Sequence, residues 1–215
     1  MLLRLLFPPK CVLCDRLLEK NETDLCHSCR GNAPDFAQIK RNHSFIAQWT
    51  GLWYYKDNVR KSLHRFKFRN RRSYADTYGR LLAVRLEQTQ LSQDVDLITW
   101  VPVSARRRRK RGYDQSELLA RAVGKELGIP VAKTLIKYRH TPPQSGMREP
   151  AHRRANVMNA YRAYRPETFL GKRILLLDDV LTTGATSTEC ARVLFTANAK
   201  EIYFASVAVA SHDKK

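Results

Sequence analysis

Residues 174–186, ILLLDDVLTTGAT, leave a chain of this size few architectures. A run of apolar residues with no polar alternation describes a strand covered on both faces, and such strands belong to parallel sheets flanked by helices. Two adjacent carboxylates close the run, a loop of hydroxyls and one glycine follows, and a helical pattern then extends from about Thr186 to Ala197. A strand–loop–helix junction of this kind offers unpaired backbone N–H groups and the positive end of a helix dipole, which suit a phosphate. Thr182, Thr183 and Thr186 add hydroxyl donors, and Gly184 lets the backbone come close to an anion. Asp178 and Asp179 would repel that phosphate, but as ionised carboxylates they accept from vicinal hydroxyls a few ångströms away. Phosphate at one end and two hydroxyls at the other describe a ribose 5-phosphate. A Mg2+ site at the paired acids and a plain helix cap are the competing readings, and neither accounts for the threonines.

The rest of the chain repeats the strand–helix alternation. VDLITWVPV from residue 95 reads as a buried strand, and 115–127 as a helix with Leu118, Leu119, Ala122, Val123 and Leu127 inward. AKTLIKY at 132–138, KRILLLDD at 172–179 and EIYFASVAVA at 201–210 read as further strands of the same sheet. Upstream, 45–56 is aromatic and β-prone, and 58–68 alternates apolar and basic positions. A helix near 74–90 groups Leu81, Leu82, Val84 and Leu86 on one broad face. Together these predict an α/β fold, with ligands at the carboxyl ends of the strands. Cys190 falls inside the last helical pattern and reads as a small buried hydrophobe.

Four of the five cysteines, Cys11, Cys14, Cys26 and Cys29, form C-x2-C-x11-C-x2-C near the start of the chain. Two such knuckles close a tetrahedral thiolate shell, the pattern of a structural Zn2+ site. Disulfides and paired redox motifs are the alternatives; a reducing compartment disfavours the first, and the absence of a surrounding βαβ redox pattern the second. His27 lies inside the second knuckle as a bystander. The division expected is a zinc-binding segment over 1–40 and an α/β domain over 41–215, whose first part, 41–92, forms a hood. The apolar leader is broken by Arg4 and stopped by Pro8 and Pro9, so it lacks the core of a signal peptide, and no stretch is long enough for a membrane span. The chain therefore reads as cytoplasmic.

Lys and Arg number 39 against 20 Asp and Glu, a formal net charge of +19. A field of that sign suits a polyanion or a phosphorylated substrate, the competing reading being surplus charge with no partner. The cations cluster. Arg106, Arg107, Arg108, Arg109, Lys110 and Arg111 follow a strand end, where they can meet a pyrophosphate, a nucleic-acid backbone or water. HRFKFRNRR at 64–72 interleaves Phe66 and Phe68 with cations, as single-strand binders do, although both rings can equally belong to the core. The segment from Arg139 to Arg154, with Pro142, Pro143, Gly146 and Pro150, reads as a lid; its His140 and His152 are assigned no role.

ILLLDDVLTTGAT also resembles the phosphoribosyl pyrophosphate (PRPP) signature of the type I phosphoribosyltransferases almost position for position. With the four-cysteine pattern, VPVSARRRRKRGYDQSELLA and TPPQSGMREPAHRRANVMNAYRA, the whole chain resembles the ComF family of competence-associated proteins. The resemblance implies a type I phosphoribosyltransferase fold with a small zinc-binding segment. It implies PRPP bound with Mg2+ by Asp178, Asp179, Val180, Leu181, Thr182, Thr183, Gly184, Ala185 and Thr186. By the same likeness the loop around Pro102–Ser104 meets the pyrophosphate, so that Ser104, Arg106, Arg107, Arg109 and Arg111 contact pyrophosphate or nucleic acid. It further implies single-stranded DNA and competence-machinery proteins as partners, in natural transformation at the inner face of the membrane, with a conventional phosphoribosyltransferase acting on a nucleobase as the alternative. Two positions depart from the family pattern: Asp114 stands in place of an amide, and Asn198 in place of the glycine after the loop helix, where it can still take the left-handed C-cap.

Overall fold

The computed structural model describes residues 8–36, 43–139, 141 and 155–210. The segment expected to form a lid lies almost wholly outside them. Four parallel strands form the central sheet in the order β1–β6–β5–β2: β1 (Gln48–Tyr54), β2 (Leu97–Trp100), β5 (Arg173–Leu181) and β6 (Glu201–Val209). Val131 bridges Ile98 in parallel at the open edge. The apolar run of β5 sits between two paired neighbours, with Ile174, Leu175, Leu176 and Leu177 fully buried. Even and odd positions serve different layers. Leu175 and Leu177 join the core under α2 (Asp57–Phe68), α3 (Tyr74–Gln88) and α5 (Gln115–Leu127). Ile174 and Leu176 join the core under α6 (Ala185–Thr196).

Two local expectations are corrected, and the segment of alternating apolar and basic residues takes a definite form. Residues 57–68 form a helix, because Val59, Ser62, Leu63 and Phe66 recur at helical spacing and are the buried positions of α2. Residues 135–137 (β3, Leu135–Lys137) leave the main sheet and pair antiparallel with β4 (Tyr161–Ala163) in a small second sheet. That strand is short and only its first residue is fully buried, which suits a two-stranded flap and not a doubly covered strand. In α3 the inward face is set by Tyr78, Leu82 and Leu86; Val84 points to solvent. The helix over 115–127 forms where the sequence places it, and so does β6 to within a residue, while β5 runs two residues beyond its expected end, to Leu181. Cys190 is fully buried, and Asn198 takes φ +65° just after α6.

The N-terminal segment shares the first core. Cys11, Val12, Leu13 and Leu25 pack with Leu63, Phe66 and Tyr78. Its backbone is also tied to α2: Ser62 donates to the Val12 carbonyl, and Arg65 donates to the Leu13 carbonyl at 2.5 Å.

Candidate functional site

The thiolates of Cys11, Cys14, Cys26 and Cys29 lie within 4.8 Å of one another, and three of the four residues are buried. The Cys14 and Cys26 sulfurs are 3.7 Å apart. That separation suits tetrahedral sulfur ligation with Zn–S bonds of about 2.3 Å. Cys26 doubles as the N-cap of α1 (His27–Asn32), its sulfur accepting from the Cys29 amide at 3.4 Å, which orients the second knuckle. His27 is exposed and is no part of the cluster. Four thiolates in this arrangement fit structural zinc.

At the carboxyl ends of the strands, Asp178 and Asp179 are still within β5, so they project to opposite faces of the sheet. Asp179 turns towards α2, where Lys67 Nζ meets its Oδ1 at 2.8 Å. Its other oxygen, Oδ2, is buried with no hydrogen-bond partner among the described residues. A buried, unpaired acceptor is costly, so this oxygen stands ready for a donor that a ligand would bring. Asp178 is held from α5: Ser116 Oγ donates to its Oδ1 at 2.9 Å, and the Asp179 amide donates to the same oxygen at 2.8 Å. Burial, and then the charge of Asp179, push its carboxyl up to about 7, against the opposing pull of Lys67. Lys67 and Ser116 were not among the sequence candidates. The sequence signal for Lys67 was its alternation with aromatics; Ser116 carried none.

The loop beyond runs through Thr182 and Thr183 to Gly184, whose φ of +79° opens α6. Its glycine answers to a neighbour as well as to an anion, because a Cβ there would stand 2.6 Å from the His43 ring. His43 packs edge-on against Trp49 of β1 at 5.2 Å, so the first strand buttresses the loop. Thr183 Oγ1 accepts from the Ala185 amide at 3.4 Å, and Ser187 Oγ donates to the Gly184 carbonyl at 3.0 Å.

The basic segment folds as a short helix, α4 (Ala105–Arg111), closed by Gly112 at φ +83°. Four of its six cations lie in its last turn, where the carbonyl end of the dipole favours them. The five expected contact residues divide by role. Ser104 is buried as the N-cap, accepting from the Arg107 amide at 3.4 Å. Arg107 turns inward and donates to the Thr141 carbonyl at 3.0 Å; burial lowers its pKa. Arg106 and Arg109 face solvent. Arg111 bonds Gln115 and lies over the Phe68 ring, 5.0 Å from its centroid. Asp114 is no part of the basic face. It caps α5, accepting from the Ser116 and Glu117 amides, and also takes the Val103 amide at 2.9 Å. Nearby, Lys137 sits 4.9 Å over Tyr161; burial, and then Arg107, bring its pKa down to about 8. A cleft of about 370 Å3 lined by Arg72, Asp76, Leu118, Arg121 and Lys125 lies between α3 and α5, away from the acid pair.

Residues 2–39 match the double zinc ribbon domain. Over 90% of its length the chain is 28% identical to competence protein F of Haemophilus influenzae, covering 93% of that protein. It is 32% identical over 136 residues to the DNA utilization protein YhgH of Salmonella typhi, a match spanning 61% of this chain and 59% of that one. Among solved structures, one of the allosteric regulatory enzyme of purine biosynthesis is similar over 68% of this chain and 29% of its own, with 21% identity and a TM-score of 0.45. A parallel sheet flanked by helices, ending in the acid pair and hydroxyl loop and preceded by a zinc ribbon, defines a type I phosphoribosyltransferase fold with an N-terminal zinc-binding segment. The chain is thus similar to competence-associated proteins over most of its length, and to a double zinc ribbon at its start.

Proposed function

We propose that this protein binds PRPP at the acid pair and the loop over 178–186, and binds single-stranded DNA on its basic surface in support of DNA uptake. The observation that carries the first half is the buried Oδ2 of Asp179, without a hydrogen-bond partner among the described residues, one residue from Asp178 and shortly before Thr182, Thr183 and a helix N-terminus. A ribose hydroxyl satisfies that oxygen, and the loop amides and hydroxyls take the 5-phosphate. Mg2+ bound with PRPP would supply neutralisation of the pyrophosphate charge; the acids and the cations at 106–111 are this chain's own contribution. Zinc organises residues 1–40 as a ribbon, and 41–92 forms the hood of the remaining domain. Among the described residues no helix is long and apolar enough to cross a membrane; the setting proposed is the cytoplasm, at the inner face of the membrane with the competence machinery.

Calorimetry with PRPP and Mg2+ tests the site. Asp178→Asn with Asp179→Asn should weaken binding by about 1.5–3 kcal/mol for each charged hydrogen bond lost. Unchanged affinity in the double variant removes the assignment. Transfer of the phosphoribosyl group to a nucleobase at the same site is the second reading. It is favoured by Lys137, a proton-exchanging group whose pKa burial brings down to about 8 and which feels the charge of Asp178. Release of pyrophosphate on adding a nucleobase decides for it.

A further inference from the structure

Phe66 and Phe68 sit two residues apart on α2 and have opposite fates. Phe66 is fully buried against Tyr78, while Phe68 is 63% exposed. A single exposed apolar side chain is ordinary; the company this one keeps is not. The His64 ring lies 4.8 Å from it, and the Arg111 guanidinium lies over it. Arg111 is held in place by the buried Gln115, so the cation is positioned before any ligand arrives. Around this stack the surface is cationic and largely unneutralised. Asp15 takes Arg71 and Glu117 takes Arg108. Arg69, Arg72, Arg106, Arg109, Lys110 and Arg111 form no ion pair among the described residues.

We propose that Phe68, flanked by His64 and Arg111, is a base-stacking platform for single-stranded DNA. This rests on the DNA-binding reading above and assigns it a specific residue. An aromatic ring beside fixed cations matches the repeat of a single strand, a base with a π-face next to a phosphate charge. A protein partner of opposite charge would be met by the arginines, but it gives an exposed phenyl between a histidine and a guanidinium nothing particular to recognise. Duplex DNA offers phosphates and hides its base faces. The platform also adjoins the acid pair, because the preceding residue, Lys67, points inward to Asp179.

Fluorescence anisotropy on the full chain tests this with three probes: a labelled oligo(dT), an abasic phosphodiester strand of equal length, and a duplex. Phe68→Ala should lose about 5- to 140-fold in affinity for oligo(dT), and keep its affinity for the abasic strand and its melting temperature. Phe68→Tyr should restore oligo(dT) binding. Phe68→Ala binding oligo(dT) as the wild type does, or losing equally on the abasic strand, overturns the platform. So does a duplex bound as tightly as the single strand. Wild-type protein that binds none of the probes at low salt overturns the DNA-binding reading itself, a result distinct from the loss of Phe68 alone.

Discussion

Asp178 joins the most constrained carboxyl of the site to a measurable pH dependence. In the folded chain it titrates at about 7, against about 3.9 for an unperturbed aspartate. Between those values the native state holds the extra proton, so this group's contribution to stability falls as pH rises and is fully lost above about 7. Ligand binding runs the other way, because the ionised form accepts from hydroxyls more strongly and on both oxygens. PRPP affinity should therefore rise between pH 6 and 8 in the wild type, and less steeply in Asp178→Asn, while melting of the wild type relative to the variant declines over the same range. Parallel titrations of the two proteins that superimpose in shape would show that Asp178 is not the titrating acceptor. That Asp178 and Asp179 matter is plain from their place after ILLL. That Ser116 reaches one and Lys67 the other is set by two helices packed at the end of β5, which the local pattern does not encode.

Helix α2 links features that lie far apart in the sequence. Its Ser62 and Arg65 hold the carbonyls of the first zinc knuckle, its Phe66 fills the core, and its Lys67 neutralises Asp179. Loss of the metal should then be felt beyond the ribbon. Cys14→Ser, or removal of zinc by a chelator, should lower the melting temperature of the whole molecule in one cooperative transition, since Val12 and Leu13 belong to the same core as Leu63 and Leu82. A separate low-temperature transition, with the main one unmoved, would show a ribbon that folds alone. The alternation of apolar and basic residues over 58–68 does not by itself choose between a strand and a helix. The helix wins because Val59, Leu63 and Phe66 bury one stripe, a gain unavailable to an extended segment whose faces both carry charge.

Over the whole molecule the net charge is +19, and α4 alone carries six cations, one of which, Arg111, lies over Phe68 of α2. If DNA lies there, affinity for a single strand should fall linearly with log salt, by roughly 0.7 per phosphate neutralised. Arg106→Ala with Arg109→Ala should weaken all sequences about equally and flatten the slope by about one to two units. An unchanged slope places the contacts elsewhere. Arg107, equally prominent in the sequence, is a poorer choice for this test because it is turned inward to Thr141.

From its sequence alone the chain determined its strand–helix alternation, its four-thiolate cluster and the loop at 178–186. Each is carried by neighbours in the chain: an apolar run, a cysteine spacing, hydroxyls around a glycine. Only the tertiary structure decided that β3 leaves the main sheet, that His43 rather than an anion alone requires Gly184, and that Phe66 is buried while Phe68 is exposed. The physical reason is the same in each case. Burial and ion pairing depend on which surfaces meet, and Lys67 with Asp179 is a contact across 112 residues that no local pattern encodes.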